Sequence, residues 1–206
     1  MSSASPAQPS DRFGPRVFGA GAEAGARWRT VDIVVVAVLS VAFGVVFFLW
    51  NNVWSWLSGL GPQAESIVTG VWLMPAVVCP LIVRKPGAAL FAEVVAALVS
   101  MVLGSQWGMD TILSGVLQGG GAELVFAFGL YRSWGPLAAA LAGLGAGVGE
   151  AIHDTTVSYV AIDVSGRTVI AGVEIVSAVL VAGILGWLLV QSLRRTGVLE
   201  AFPGGA

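Results

Sequence analysis

Four glutamates lie inside apolar stretches of this 206-residue sequence, namely Glu93, Glu123, Glu150 and Glu174. No lysine or arginine lies inside any of these stretches. An ionised carboxylate at the centre of a bilayer costs about 2.5 to 3.5 kcal/mol, so such residues usually face an internal cavity and mark a functional pathway. The pattern predicts a buried acidic site that is protonated, is hydrogen-bonded to nearby polar side chains, or accepts a positively charged ligand.

Six apolar segments position these acids. They cover about residues 33–50, 67–83, 87–103, 111–131, 136–153 and 169–193. The chain is 56% apolar and 11% charged, whereas soluble domains are about 25% charged. Segments of about 20 apolar residues cross a bilayer as helices. We therefore predict an all-α polytopic membrane protein with six transmembrane helices in residues 31–195, a disordered cytoplasmic tail in residues 1–30 and a cytoplasmic tail in residues 196–206.

The basic residues are distributed asymmetrically between the two ends of these segments. Nine of the ten lie on one side: Arg12, Arg16, Arg27, Arg29, Arg84, Lys85, Arg132, Arg194 and Arg195. Only Arg167 lies in a loop on the other side. Because basic residues in short loops stay in the cytoplasm, both termini are predicted to be inside and the loops after segments one, three and five outside.

Aromatic and polar side chains accompany the acids at the predicted outer level. Trp50, Asn51 and Trp54 end the first segment, and Trp72 lies near the outer end of the second. These residues, together with the deeper polar groups, are predicted to line one pocket: Glu93, Gln118, Glu123, Glu150, His153 and Asp154. Tryptophan faces and carboxylates favour a flat cationic ring, because cation–π attraction is worth up to about 2 kcal/mol when desolvated.

Several kinds of site are excluded by the residues available. The only lysine, Lys85, lies in the loop Val83 to Gly87, which is not a phosphate-binding loop. The single Cys79 and the single His153 leave no metal site of several thiolates or two histidines. We therefore expect no enzyme activity, no cofactor, no metal and no nucleic-acid partner, with membrane lipid surrounding the bundle.

Glycines predict where helices approach closely. Gly143 and Gly147 have the Gly-x-x-x-Gly spacing on one face of segment five, and Gly145 and Gly149 have it on another. Three adjacent glycines at residues 119–121 weaken a helix by roughly 1 kcal/mol each relative to alanine. That run therefore favours local unwinding, or a ligand lying against bare backbone, about as much as an ordinary helix. Pro75 and Pro80 predict a bent helix in segment two.

Four stretches carry a resemblance to a known family. They are residues 28–34 (WRTVDIV), residues 43–51 (FGVVFFLWN), residues 118–126 (QGGGAELVF) and residues 149–154 (GEAIHD). Together they resemble the YkoE family of substrate-binding S components of energy-coupling factor (ECF) transporters, over about residues 28–195.

The resemblance implies a six-helix S component in the prokaryotic cell membrane that captures thiamine, or its hydroxymethylpyrimidine precursor, from outside. It also implies separate partners, a transmembrane coupling subunit and cytoplasmic ATPase subunits. S components as a class dock through small residues on the first helix, for which Ser40 and Gly44 are the candidates here. The thiamine cation would lie near Glu123 or Glu150, and a loop over residues 51–65 would close over it.

Two other functions remain open at this point. Buried acids also serve as proton relays, so a self-sufficient cation- or proton-coupled transporter is one alternative. A scaffold subunit without a small ligand is another, in which case the glutamates would be matched by partner cations. Thiamine and hydroxymethylpyrimidine are not distinguished, because the precursor lacks the cation but shares the pyrimidine ring.

Overall fold

The chain forms a six-segment helical bundle. The computed structural model describes residues 27–202, and the predicted tail residues 1–26 and 203–206 lie outside that range. The helices are α1 (Thr30–Leu57), α2 (Pro62–Ser66), α3 (Met74–Val83), α4 (Ala88–Val102), α5 (Asp110–Phe128), α6 (Pro136–Thr156), α7 (Val164–Ser177) and α8 (Gly186–Arg195). A π-helical stretch, Ala178–Leu185, joins α7 to α8 into one continuous segment. The all-α prediction with six segments is confirmed.

Within residues 27–202, four helical segments are long and apolar enough to cross a membrane. They are Thr30–Leu60, Pro62–Val83, Asp110–Phe128 and Val164–Arg195. The apolar helix α4 has 15 residues and α6 has 21. Large apolar side chains such as Val38 and Leu49 are exposed on the outside of the bundle, as expected where lipid is the solvent. The assignment of the two ends to inside and outside remains the prediction made from the basic residues.

The second segment is interrupted rather than merely bent. A 3₁₀ turn, Thr69–Val71, separates the short α2 from α3. Pro75 lies in the first turn of α3, where its missing N–H removes no helical hydrogen bond. The break exposes Thr69 and Trp72 to the cavity described below.

Glycine faces bring α5, α6 and α7 into backbone contact. A Cβ added to Gly145 or Gly149 would collide with backbone of α5, at Gly121 and Leu117 respectively. A Cβ added to Gly143 or Gly147 would lie 2.7 Å from atoms of Ala178, in the π-helical stretch. The two predicted contact faces of α6 therefore pack against different helices, as expected for small residues at membrane helix interfaces.

The run of three glycines stays helical within α5. Gly119 packs on α4, where an added Cβ would lie 2.9 Å from the Cβ of Glu93. Gly121 packs on Gly145 of α6, whereas Gly120 has open space around it. Neither expected alternative applies, since packing on two sides holds this glycine run in the helix.

The predicted docking residues Ser40 and Gly44 lie inside the bundle, which corrects their assignment. Ser40 is fully buried, and its hydroxyl donates to the carbonyl oxygen of Val36. A Cβ added to Gly44 would lie 2.5 Å from the Cβ of Val99 and 2.7 Å from the carbonyl oxygen of Ala96. Gly44 allows α1 to approach α4 of the same chain, and Ser40 is fully buried, so neither residue presents a surface to a partner.

We expect Gly44→Ala to lower the stability of the isolated subunit by about 1 to 3 kcal/mol, the usual cost of overpacking. Gly120→Ala is the matched control, because it adds the same methyl group to a helical glycine with open space around it. The control should be neutral or slightly stabilising, given the higher helix propensity of alanine. Thermal unfolding in detergent measures both. Equal melting temperatures for the two variants would contradict this packing role.

The ends of the described chain are anchored to the bundle. The indole N–H of Trp28 donates to the carbonyl oxygen of Pro86 over 3.0 Å, and its ring packs edge-on against Phe91. Asp32 lies 2.7 Å from the guanidinium of Arg29 and 3.7 Å from the ammonium of Lys85. Leu199 and Phe202 pack against the core near the other terminus. Residues on both sides of 31–195 therefore pack against the helical bundle.

Candidate functional site

A cavity of about 600 Å³ lies at the end of the bundle opposite the contact of Trp28 with Pro86. We call it the acidic cavity, because five carboxylates line it: Glu65, Glu93, Asp110, Glu150 and Asp154. Three tryptophans complete its wall, namely Trp54, Trp72 and Trp107. Among the described residues that line it there is no lysine or arginine. Its volume lies in the range of about 300 to 1,000 Å³ that small-molecule sites occupy.

Trp107 is the centre of the aromatic wall. Its ring lies 5.2 Å from that of Trp54 and 5.6 Å from that of Trp72, both edge-to-face. Such geometry is favourable because the positive edge of one ring meets the negative face of the next. Trp107 lies in the turn between α4 and α5 and was not among the residues predicted to line the pocket. Its position one turn before Asp110 at the predicted outer interface was the available signal.

Glu150 is held in a fixed orientation by side chains of α5. Its Oε2 accepts from the hydroxyl of Ser114 and from the amide nitrogen of Gln118, each over 2.7 Å. Both donors are neutral, so these hydrogen bonds orient the carboxylate without neutralising its charge. Glu150 therefore offers a preorganised carboxyl group to a ligand in the cavity.

His153 bridges two carboxylates. Its Nδ1 lies 2.9 Å from Asp154 Oδ1, and its Nε2 lies 3.1 Å from Asp110 Oδ1. A histidine between two carboxylate acceptors donates from both nitrogens and is then a cation. Glu150, His153 and Asp154 offer potential metal ligands within 4.8 Å of one another, but a metal needs a free nitrogen lone pair on histidine. This geometry uses His153 as a hydrogen-bond donor.

Glu93 contributes the deepest acceptor of the acidic cavity. It is fully buried, and its Oε2 accepts from the backbone N–H of Ala76, near the start of α3, over 3.0 Å. Its Oε1 is buried with no hydrogen-bond partner in the described chain. A buried acceptor left unpaired costs roughly 1 to 3 kcal/mol, so a ligand N–H that reached it would gain correspondingly.

Glu65 and Tyr159 are two further cavity residues that the sequence analysis did not single out. The phenol of Tyr159 donates to Glu65 Oε2 over 3.1 Å. Burial raises the pKa of Tyr159, and the nearby Asp154 and Glu65 raise it further. Tyr159 therefore stays a neutral donor. The pair connects the start of the second segment to the loop after α6, a contact between residues far apart in the sequence.

Seven of the ten predicted pocket residues line the acidic cavity: Trp54, Trp72, Glu93, Gln118, Glu150, His153 and Asp154. Trp50 does not, and its indole N–H donates to the carbonyl oxygen of Val68 over 3.1 Å. Asn51 is buried behind the wall, where its amide lies 3.4 Å from the hydroxyl of Ser105, a lining residue. Both residues brace the wall rather than face its interior.

Glu123 lies outside the acidic cavity, at the other end of the bundle. Its carboxylate accepts from the backbone N–H groups of Gly87, over 2.6 Å, and Ala89, over 3.0 Å. The phenol of Tyr131 donates to it over 2.7 Å, and burial together with this contact raises the pKa of Tyr131 to about 12. Glu123 thus caps the start of α4, where a negative charge is favoured. Its expected place beside the ligand cation is not supported.

The comparisons with known proteins agree with the helical bundle. A family model described as the permease component of an ABC-type cobalt transport system matches residues 31–149. YkoE of Bacillus subtilis (strain 168), named as a candidate HMP/thiamine permease protein, is 36% identical over 180 residues, covering 86% of this chain and 90% of YkoE. A crystal structure of an S component of an ECF transporter matches with a TM-score of 0.83 and 36% identity, covering 87% of this chain and 92% of that one.

Proposed function

We propose that this chain, which belongs to the YkoE family of S components of ECF transporters, captures thiamine in its acidic cavity. As an S component it is a multi-pass membrane protein of a bacterial transporter, it is not an enzyme, and it works with an ECF energising module. The finer proposal is that the ligand enters from outside. A separate coupling subunit and ATPase subunits then drive its release inside.

The observation that carries this proposal is the charge of the cavity. Five carboxylates line it, and the one potential cation on its described wall, His153, is already shared between two of them. Like charges held close together repel one another, so a cationic ligand stabilises the arrangement. Thiamine joins a positively charged thiazolium ring to an aminopyrimidine, and both rings are flat.

The cavity offers a different environment to each half of this molecule. Near Glu150 and Asp154 the negative charge favours the thiazolium ring. Near Glu93, a deeply buried acceptor beside the cavity, we place the aminopyrimidine ring. The wall of Trp54, Trp72 and Trp107 provides aromatic surface for the two flat rings. Hydroxymethylpyrimidine would occupy the Glu93 end and leave the charged end without a counter-ion.

Titration of the purified protein while following tryptophan fluorescence tests the proposal. Three of the eight tryptophans line the cavity, so thiamine should quench the emission with saturation. Hydroxymethylpyrimidine should bind more weakly than thiamine, because it brings no positive charge. No response to either compound, under conditions in which the protein is folded, would contradict a thiamine site in this cavity.

We also expect phosphate esters of thiamine to bind about 100-fold more weakly than thiamine, a difference of about 2.7 kcal/mol. The described wall has carboxylates but no lysine or arginine to receive a phosphate, so the ester group would meet like charge. Competition of thiamine monophosphate and diphosphate against bound thiamine measures the difference. Equal affinities for thiamine and its phosphate esters would show that the phosphate group lies away from the carboxylates of the cavity. That result would contradict the proposed orientation of the thiazolium ring.

A further inference from the structure

The second membrane segment is interrupted beside the acidic cavity, and three cavity residues belong to this break. Glu65 lies before it in α2, whereas Thr69 and Trp72 lie within and just after the 3₁₀ turn Thr69–Val71. The segment Pro62–Val83 is apolar and long enough to cross a membrane. Because the interior of a bilayer offers no water to free backbone groups, the groups released by the break require partners within the protein.

The hydroxyl group of Ser177, the last residue of α7, is inserted into this break. It donates to the carbonyl oxygen of Ile67 over 2.6 Å and accepts from the backbone N–H of Gly70 over 3.0 Å. Ile67 and Gly70 are three residues apart, the spacing at which a carbonyl and an N–H bond each other directly in a 3₁₀ turn. The Ser177 side chain thus replaces a turn hydrogen bond. Insertion of a side chain into the hydrogen-bond ladder is a known cause of sharp helix kinks.

The backbone of the break packs closely around this hydroxyl. Ser177 is 6% exposed, and Gly70 is buried. A Cβ added to Gly70 would lie 2.5 Å from the carbonyl oxygen of Ser177 and 2.7 Å from the Cβ of Val181, in the π-helical stretch. Glycine at this position therefore lets the turn approach the end of α7 closely enough for both hydrogen bonds.

Trp50, on α1, supports the same break from a second helix. Its indole N–H donates to the carbonyl oxygen of Val68 over 3.1 Å, and the backbone N–H of Val71 donates to that oxygen over 3.4 Å. Trp50 therefore strengthens a turn that has a backbone hydrogen bond of its own, whereas Ser177 replaces one. Neither side chain is among the described residues that line the cavity.

We propose that Ser177 and Trp50 are positioning residues, which hold the interrupted segment in the geometry that presents Thr69 and Trp72 to the ligand. This inference rests on the proposed function, because Trp72 belongs to the aromatic wall that receives the flat rings. Pro75 already disfavours a continuous helix here, since its ring would meet the carbonyl group four residues earlier. Loss of the Ser177 hydroxyl should therefore loosen the break rather than close it.

Hydrogen exchange of the ligand-free protein tests the positioning role without any ligand. Ser177→Ala removes both the donor and the acceptor, so the amides of residues 67–72 should exchange about tenfold faster than in the wild type. Ser40→Ala is the matched control, because Ser40 is another buried serine, and its hydroxyl donates to a backbone carbonyl over 2.6 Å within α1. The control should leave the exchange of residues 67–72 unchanged.

Calorimetric titration then connects the break to ligand binding. Ser177→Ala should weaken the binding of thiamine and of hydroxymethylpyrimidine by about tenfold each, because a displaced Trp72 affects both flat rings. Ser40→Ala should bind both ligands as the wild type does. Trp50→Phe keeps an aromatic ring but loses the N–H donor, and it should show the same two changes at a smaller size. A purely structural role would lower the melting temperature and leave the affinity of the folded protein unchanged.

The possible results separate the two proposals. Wild-type exchange at residues 67–72 in Ser177→Ala, or faster exchange there with wild-type affinity for both ligands, overturns the positioning role and leaves the thiamine site standing. Faster exchange in Ser177→Ala, when the wild-type protein binds no thiamine, overturns the proposed function but supports the role of this hydroxyl in the break. If Ser177→Ala does not fold, Trp50→Phe decides, since wild-type exchange and affinities in that variant contradict the positioning role.

Discussion

Glu150→Gln should weaken thiamine binding by about 10- to 100-fold, or about 1.4 to 2.8 kcal/mol. The amide oxygen of glutamine can still accept the hydrogen bonds from Ser114 and Gln118, so the shape of the site is kept while the charge is lost. A counter-ion for a desolvated cation is worth at least this much in a cavity shielded from water. Fluorescence titration of the variant with thiamine measures the change.

Hydroxymethylpyrimidine provides the internal control for this variant, because it lacks the cation. Its affinity for Glu150→Gln should stay within about a factor of three of the wild-type value. Glu123→Gln is the matched control for removing a buried glutamate elsewhere. It should lower stability, since Glu123 caps α4, but leave thiamine affinity unchanged. Equal losses for both ligands in Glu150→Gln would contradict a charge-specific role.

The fold was predictable from the sequence because hydropathy and the basic residues mark each membrane segment. The pocket was largely predictable too, since acids inside apolar helices must converge. The face of α1 that packs against the bundle was not predictable from the sequence. Val36 is buried and Val38 is exposed, yet both suit lipid and protein interior equally well. For this reason Ser40 and Gly44 were assigned to a partner, whereas Ser40 is buried inside the bundle and Gly44 packs on α4.

The predicted position of Glu123 beside the ligand was not supported, for a different reason. The predicted segment ran to residue 131, which put Glu123 near its middle, but α5 ends at Phe128. Thirteen residues separate Asp110 from Glu123, or roughly 20 Å at the helical rise of 1.5 Å per residue. That distance carries Glu123 to the opposite end of the bundle. Glu123 is therefore too far from Asp110 to join the acidic cavity, and its carboxylate caps α4 instead.

Glu65 and Trp107 could not be found by periodicity, since both belong to short, irregular stretches. Glu65 lies in the five-residue α2, and Trp107 in the turn before α5. Their roles depend on contacts with Tyr159, Trp54 and Trp72, which are distant in the sequence or separated from them by turns. Interfacial tryptophans are common membrane anchors, so residue type alone does not distinguish the wall of a cavity from a lipid contact.

Trp107→Ala should weaken the binding of both thiamine and hydroxymethylpyrimidine, by about 100-fold each. The substitution removes an aromatic face from the cavity and also two edge-to-face contacts worth about 0.5 to 1.5 kcal/mol each, so Trp54 and Trp72 lose their common support. Trp107→Phe keeps an aromatic ring at this position and should recover part of the affinity. Calorimetric titration with both ligands measures these losses independently of tryptophan emission.

Trp56→Ala is the control for this series, because Trp56 is 89% exposed and does not line the acidic cavity. Its ligand affinities should equal those of the wild type. The two substitutions in the cavity then separate the contributions of charge and of aromatic contact to ligand affinity. Removing the Glu150 charge should weaken thiamine more than hydroxymethylpyrimidine, whereas removing the Trp107 ring should weaken both equally. A Trp107→Ala protein that is folded and binds both ligands with wild-type affinity would place the flat rings elsewhere, and the tryptophan wall would then be a structural support only.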